Sequence, residues 1–121
     1  MQELQLGVAE SRFADVIWGS EPITSSELVK KCEQLFQWKK STTFTVLKRL
    51  IEKGIFKNES GTVTSLISRD DFYTRQSERL ISRAFDGSLP TFVAAFSQRK
   101  PLTKEEVDEL RRFIDAYEVK E

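Results

Sequence analysis

Thr42-Thr43-Phe44-Thr45-Val46-Leu47-Lys48-Arg49-Leu50-Ile51-Glu52-Lys53-Gly54 is the stretch on which the reading of this chain turns. Thr43, Leu47, Leu50 and Ile51 recur at helical spacing and predict the inner face of a helix over Thr42 to Lys53. Ser41 or a neighbour is expected to cap it, and Gly54 to stop it. At about 100° per residue, the opposite face collects Ser41, Thr42, Thr45, Lys48, Arg49 and Glu52, with Phe44 on the flank. Short hydroxyl side chains interleaved with long cations are what contact with a phosphate backbone and base edges calls for. The same pattern by itself also fits a solvated helix face; the order of the elements around it and the local positive charge favour DNA contact.

Upstream, Ala9, Phe13, Val16 and Ile17 mark one face of a helix over about Val8 to Trp18, with Gly19 as its stop. Glu21-Pro22-Ile23-Thr24 reads as an extended connector, because the residue before proline avoids the helical region. Thr24 and Glu27 form a capping-box pattern that opens a second helix over about Ser25 to Phe36. Its apolar positions are Leu28, Cys32, Leu35 and Phe36. Gln37 to Lys40 then connect to the third helix.

Downstream, Ile55-Phe56-Lys57 and Val63 to Ile67 predict two strands joined by Asn58-Glu59-Ser60-Gly61, a run of turn formers. Three helices followed by a hairpin is the order of a winged helix, expected over residues 1–68. Residues 69–121 read as three further helices and a region for dimerisation. The first runs from Arg69 to about Phe85, with Phe72, Leu80, Ile81, Ala84 and Phe85 as its apolar set. Asp86-Gly87-Ser88 breaks it. Leu89 to Gln98 carries Leu89, Phe92, Val93 and Phe96. Lys100-Pro101 breaks the chain again, and Thr103 with Glu106 caps the last helix, whose seam is Val107, Leu110, Ile114 and Tyr117. Together with Leu80 these residues expose more apolar surface than three short helices can hide from water, so a self-association surface is expected. The fold class is therefore mainly α with a small β-hairpin: a winged helix-turn-helix and a C-terminal helical region.

Composition narrows the function. The chain has 121 residues, 39% of them hydrophobic and 31% charged, which fits an ordered, water-exposed fold. No apolar run approaches the roughly 20 residues of a membrane span. Met1 to Gly7 lack the charge-then-apolar pattern of a secretory signal, and a single cysteine fits a reducing cytoplasm. With no histidine, His-based acid–base chemistry, His triads and His-ligated metals are excluded, and one cysteine cannot build a CxxC site. No enzyme activity, metal or cofactor is expected.

The 19 basic and 19 acidic residues cancel overall but not locally. Residues 39–57 hold six basic residues (Lys39, Lys40, Lys48, Arg49, Lys53, Lys57) against Glu52 alone, whereas residues 1–38 are net acidic. Phosphate binding depends on such local concentration. Lys39 and Lys40 stand where a helix start disfavours positive charge but favours a bound anion. Lys57 and the hairpin tip Ser60-Gly61 complete the candidate DNA-contacting set.

Other conspicuous residues read as structural. Cys32 lies on an inner face with Leu28 and Leu35, where cysteine behaves as a small hydrophobe. Trp18 and Trp38 sit at helix boundaries and are expected to staple the core. Asp70 and Asp71 suit the start of a helix.

With these residues in view, the chain resembles the penicillinase-repressor (BlaI/MecI/CopY) family of transcriptional regulators. Trp38, Thr42, Thr45, Leu47, Arg49, Leu50, Lys53 and Gly54 match the family pattern W-x-x-x-T-x-x-T-x-L-x-R-L-x-x-K-G. Val16-Ile17-Trp18 and Phe85 to Phe96, FDGSLPTFVAAF, are similar to two further family segments. The resemblance implies a bacterial repressor that binds a dyad operator as a homodimer in a resistance or stress circuit. It also implies, for several members, inactivation through a membrane sensor metalloprotease system that cuts the C-terminal region. Where those members carry Asn-Phe, this chain has Ala95-Phe96. It also lacks the paired C-terminal cysteines of copper-responsive members, and Gly61-Thr62-Val63-Thr64-Ser65 replaces the usual aromatic and proline of the wing. A winged-helix protein-interaction module without sequence-specific DNA binding is the alternative that the fold leaves open.

Overall fold

The computed structural model describes residues 6–120, so most of the start read above for a signal lies outside the described residues. Element order is α1 (Val8–Ser20), β1 (Ile23–Thr24), α2 (Ser25–Phe36), α3 (Lys40–Glu52), β2 (Phe56–Glu59), β3 (Thr62–Ser65), α4 (Arg69–Ala84), α5 (Leu89–Arg99) and α6 (Lys104–Ala116). The winged-helix order is present, and the chain divides into two compact units after Ser77.

In the first unit, α1, α2 and α3 enclose one core. Phe13, Ala14 and Ile17 come from α1, Leu28 and Cys32 from α2, and Val46, Leu47 and Leu50 from α3. Ile55, Phe56 and Val63 close it from the hairpin, and Phe72 from the first turn of α4. Burial on this scale, about 1.5–3 kcal/mol for each large apolar side chain, is what fixes the helix rotations. Both tryptophans are staples, as expected. Trp38 stacks on Phe13 and meets Phe36 at a tilt, with ring centroids at 5.6 and 5.0 Å. Trp18 meets Phe56 and Phe72 at 5.3 and 5.6 Å. Cys32 is buried, and desolvation pushes its thiol pKa up, against a smaller opposing effect from the Thr43 hydroxyl beside it.

Several local expectations are corrected. Gly19 does not end α1; the helix runs on to Ser20, and Glu21 takes the extended conformation that Pro22 demands. The connector contains a strand, because Ile23 and Thr24 pair antiparallel with Val63 and Thr62. The sheet is therefore three-stranded, in the order β1-β3-β2. Thr24 caps α2 as expected, accepting from the Glu27 amide at 3.1 Å. The Glu27 carboxylate, however, faces the Thr24 hydroxyl, at 3.2 Å. Ala9 and Leu35 are exposed, and Ala14 and Val46 take places in the core.

The hairpin turn is tighter than expected. Asn58 and Glu59 belong to β2, leaving Ser60 and Gly61 as the loop, with φ of 52° and 87°. Two consecutive left-handed residues match the strand twist, and glycine takes the second without a Cβ penalty. Asn58 Oδ1 accepts from the Gly61 amide at 2.9 Å, and the Gly61 carbonyl accepts from the Ser25 amide at 2.8 Å.

The second unit comprises the rest of α4 with α5 and α6. Asp86 and Gly87, both at positive φ, make the break after α4. Ser88 caps α5, and Thr103 with Glu106 forms the expected capping box of α6. Phe85, Phe92 and Phe96 form an aromatic run with centroids at 5.4 and 6.1 Å. Among the described residues of this unit none is buried. Leu89 and Phe96 on α5, Leu110, Phe113 and Ile114 on α6, and Tyr117 at its end all stand open.

Candidate nucleic-acid interface

The rotation of α3 is set by Thr43, Val46, Leu47 and Leu50, all buried. What those four cannot bury faces outward: Ser41, Thr42, Thr45, Lys48, Arg49 and Glu52 are each exposed. The predicted outer face is thus brought together on a single helix. Its start differs from expectation. Ser41 is not the cap but lies inside the helix, and Lys39 holds the cap position with no side-chain hydrogen bond. Lysine cannot accept from an amide, so no side chain satisfies the first amides of α3. The first turn carries no acidic residue. Lys39 and Lys40 stand exposed at this end, Lys40 with its ammonium 5.9 Å from the Phe44 ring centroid. A helix start with uncapped amides and two cations is electrostatically prepared for an anion.

The hydroxyl of Thr45 donates to the Ser41 carbonyl at 2.9 Å. That internal bond uses its proton, leaving the methyl group and oxygen lone pairs for anything outside the helix. Arg49 is exposed but not unaccompanied: its guanidinium lies 3.7 Å from a carboxylate oxygen of Glu10 on α1, which also lies 3.8 Å from the Lys53 ammonium. Glu10 was not among the sequence candidates, since nothing local to α1 announces a partner on α3.

The hairpin contributes less charge than its composition suggests. Lys57 is paired with Glu59 on the same strand at 2.7 Å, and that pairing holds the Glu59 carboxyl below its ordinary range. The Gly61 amide and carbonyl are both engaged internally, whereas Ser60 is exposed. Among the described residues no group of three Asp, Glu, Cys or His side chains could hold a metal, and no helix is long and apolar enough to cross a membrane.

Three helices around one core, a wing closed by a third short strand, and a hydroxyl-and-cation face on the third helix define a winged helix-turn-helix protein. The penicillinase repressor family model matches residues 6–116. The chain belongs to that family. It is 29% identical to the penicillinase repressor of Bacillus licheniformis over 117 residues, covering 93% of this chain and 91% of the relative. It is 23% identical to the methicillin resistance regulatory protein MecI of Staphylococcus aureus over 115 residues, covering 92% and 94%. The solution structure of the DNA-binding domain of the repressor BlaI superposes with a TM-score of 0.52 at 30% identity, covering 59% of this chain and 93% of that domain.

Proposed function

We propose that this chain is a transcriptional repressor that binds a dyad operator as a homodimer, reading the major groove with α3. The observation that carries this reading is the division of α3 into a buried apolar face and an exposed face of Ser41, Thr42, Thr45, Lys48 and Arg49. Family membership and the likeness to a DNA-binding domain support it. Arg49 and the threonines are assigned to base edges and adjacent phosphates, and Lys39, Lys40 and the α3 amides to the backbone. Ser60, at the wing tip, is assigned to a neighbouring phosphate, Gly61 to the turn that presents it, and Lys57 to a lesser, charge-compensated contact.

Dimerisation is assigned to the second unit, through Leu80, Leu89, Phe92, Val93, Phe96, Val107, Leu110, Ile114 and Tyr117. One reading helix covers one half-site; two, held a helical turn of about 34–36 Å or a multiple apart, combine their affinities. We propose in addition, on the family resemblance, induction by proteolysis of the C-terminal region, with a membrane sensor metalloprotease system as the partner. Ala95 and Phe96 are exposed but lie within α5, so cleavage there would require that helix to unwind locally.

Selection of binding sites from a random duplex pool by the full chain tests the proposal. The expected product is a two-fold symmetric sequence, bound at nanomolar concentrations at physiological salt. Recovery of no enriched sequence, with binding no tighter than to arbitrary duplex, would overturn it.

A further inference from the structure

Glu10 has no part in the interface as proposed, yet its carboxylate is placed against it. Oε1 accepts from the Gly7 amide at 3.1 Å and so caps the start of α1. Oε2 is buried and hydrogen-bonded to nothing, and lies 3.7 Å from Nη1 of Arg49 and 3.8 Å from Nζ of Lys53. The Glu10 side chain is only 17% exposed, against 56% for Arg49. A shielded anion therefore sits behind a cation on the face proposed to meet DNA.

The distances decide what such a pair can do. A short bidentate pair would lock the guanidinium. At 3.7 Å without a hydrogen bond, Glu10 biases the direction of Arg49 while leaving the donors of its fork open to solvent. The pair is half open to solvent and so holds only weakly. A phosphate, even when met by both donors of the fork, brings a second anion up to the Glu10 carboxylate and is repelled by it. A guanine edge, with O6 and N7 side by side, offers the fork two acceptors at once and gains more.

We infer that Glu10 is a positioning residue for sequence discrimination: it withholds Arg49 from the phosphates of arbitrary duplex and yields it where a bidentate base edge is presented. The inference rests on the proposed DNA-binding role of α3.

Glu10→Gln tests it, because the amide oxygen keeps the acceptor for Gly7 and removes only the charge. Binding of the full chain to a random-sequence duplex would be followed by fluorescence anisotropy across a salt series. The released Arg49 should make one more phosphate contact, steepening the slope of log K against log salt by about one. Adding Arg49→Gln should abolish the increment. Glu52→Gln removes an equal charge from the outer face of α3, and whatever it adds should persist when Arg49 is replaced. Glu10→Asp retains the charge but withdraws it by one methylene, and should reproduce part of the steepening even if Glu10→Gln folds poorly. An unchanged slope in folded Glu10→Gln and Glu10→Asp, or an increment that survives the loss of Arg49, would overturn the inference alone. Absence of salt-dependent duplex binding by the unaltered chain would instead overturn the DNA-binding reading, and this inference with it.

Discussion

The indole N–H of Trp18 donates to the Ile67 carbonyl at 3.0 Å, joining the last turn of α1 to the residue pair that precedes α4. The bond spans the first unit from its first helix to its exit. The ring that makes it also packs on Phe56, Phe72 and Tyr73. Trp18→Phe would keep much of the packing and remove the donor, leaving a part-buried carbonyl unpaired. A loss of about 1–3 kcal/mol is expected, read as a lower urea midpoint at unchanged slope. A midpoint equal to that of the unaltered chain would show that water replaces the bond at no cost.

Thr45 separates two ways of reading a base. Its hydroxyl is committed to the Ser41 carbonyl, so the methyl is what it presents outward for a thymine. Thr45→Val should bind the selected operator as tightly as the unaltered chain. Thr45→Ser should weaken it about fourfold, following roughly 0.8 kcal/mol per buried methylene equivalent. The opposite order in a mobility-shift titration would assign the contact to the hydroxyl.

Lys39 and Lys40 should act on phosphates, and hence on all sequences alike. Replacing both by alanine is expected to flatten the salt dependence of DNA binding by about two units of slope, with the enriched sequence unchanged. A shift in base preference would place one of them in the groove instead.

A feature is legible in the sequence to the extent that its cause is local. The outer face of α3 was legible because a 3.6-residue period is written into any dozen consecutive residues. So was the capping box at Thr103 and Glu106, three positions apart. The strand at Ile23 and Thr24 was not, since two residues carry no alternation and their strand character comes from Val63 and Thr62. Leu35 shares the period of Leu28 and Cys32 but stays exposed, while the next residue, Phe36, packs against the core. The Glu10 and Arg49 pair joins two helices far apart in sequence, and periodicity has no term for that.

Acid should loosen the start of α6 only as the pH falls below the ordinary glutamate range. The Glu106 carboxyl is held below its ordinary range by the Thr103 amide, and further by the Thr103 hydroxyl. A carboxyl lowered in the folded state contributes stability that is complete above its unfolded value and is lost as pH falls through its folded value. The Thr103 amide resonance should therefore move with a midpoint below that of ordinary glutamates, and Glu106→Gln should remove the transition. A Thr103 resonance that follows an ordinary glutamate midpoint would mean that the box is open in solution.

The second unit should be unable to keep its apolar surface from water by itself. Among its described residues none is buried, whereas the first unit closes a core of thirteen hydrophobic side chains. Leu89, Phe113, Ile114, Tyr117 and Val119 line a cleft of about 510 Å³ that is mostly carbon. Exposure of this kind is stable in water when a second copy covers it. Ile114→Glu would place a charge in that surface and leave the first unit untouched. The variant should sediment as a monomer at concentrations where the unaltered chain is expected to sediment as a dimer. Its affinity for the symmetric operator should fall by orders of magnitude, while its weak, salt-sensitive binding to a half-site persists. Truncation after Ser88, which keeps α4 whole and removes α5 and α6, should give the same two results. The far-ultraviolet dichroism of the truncated chain should retain the helices of the first unit, because their core owes nothing to the part removed. If the truncated chain still dimerises and still holds the operator tightly, dimerisation belongs to residues before Ser88, and cutting α5 cannot be how repression is released.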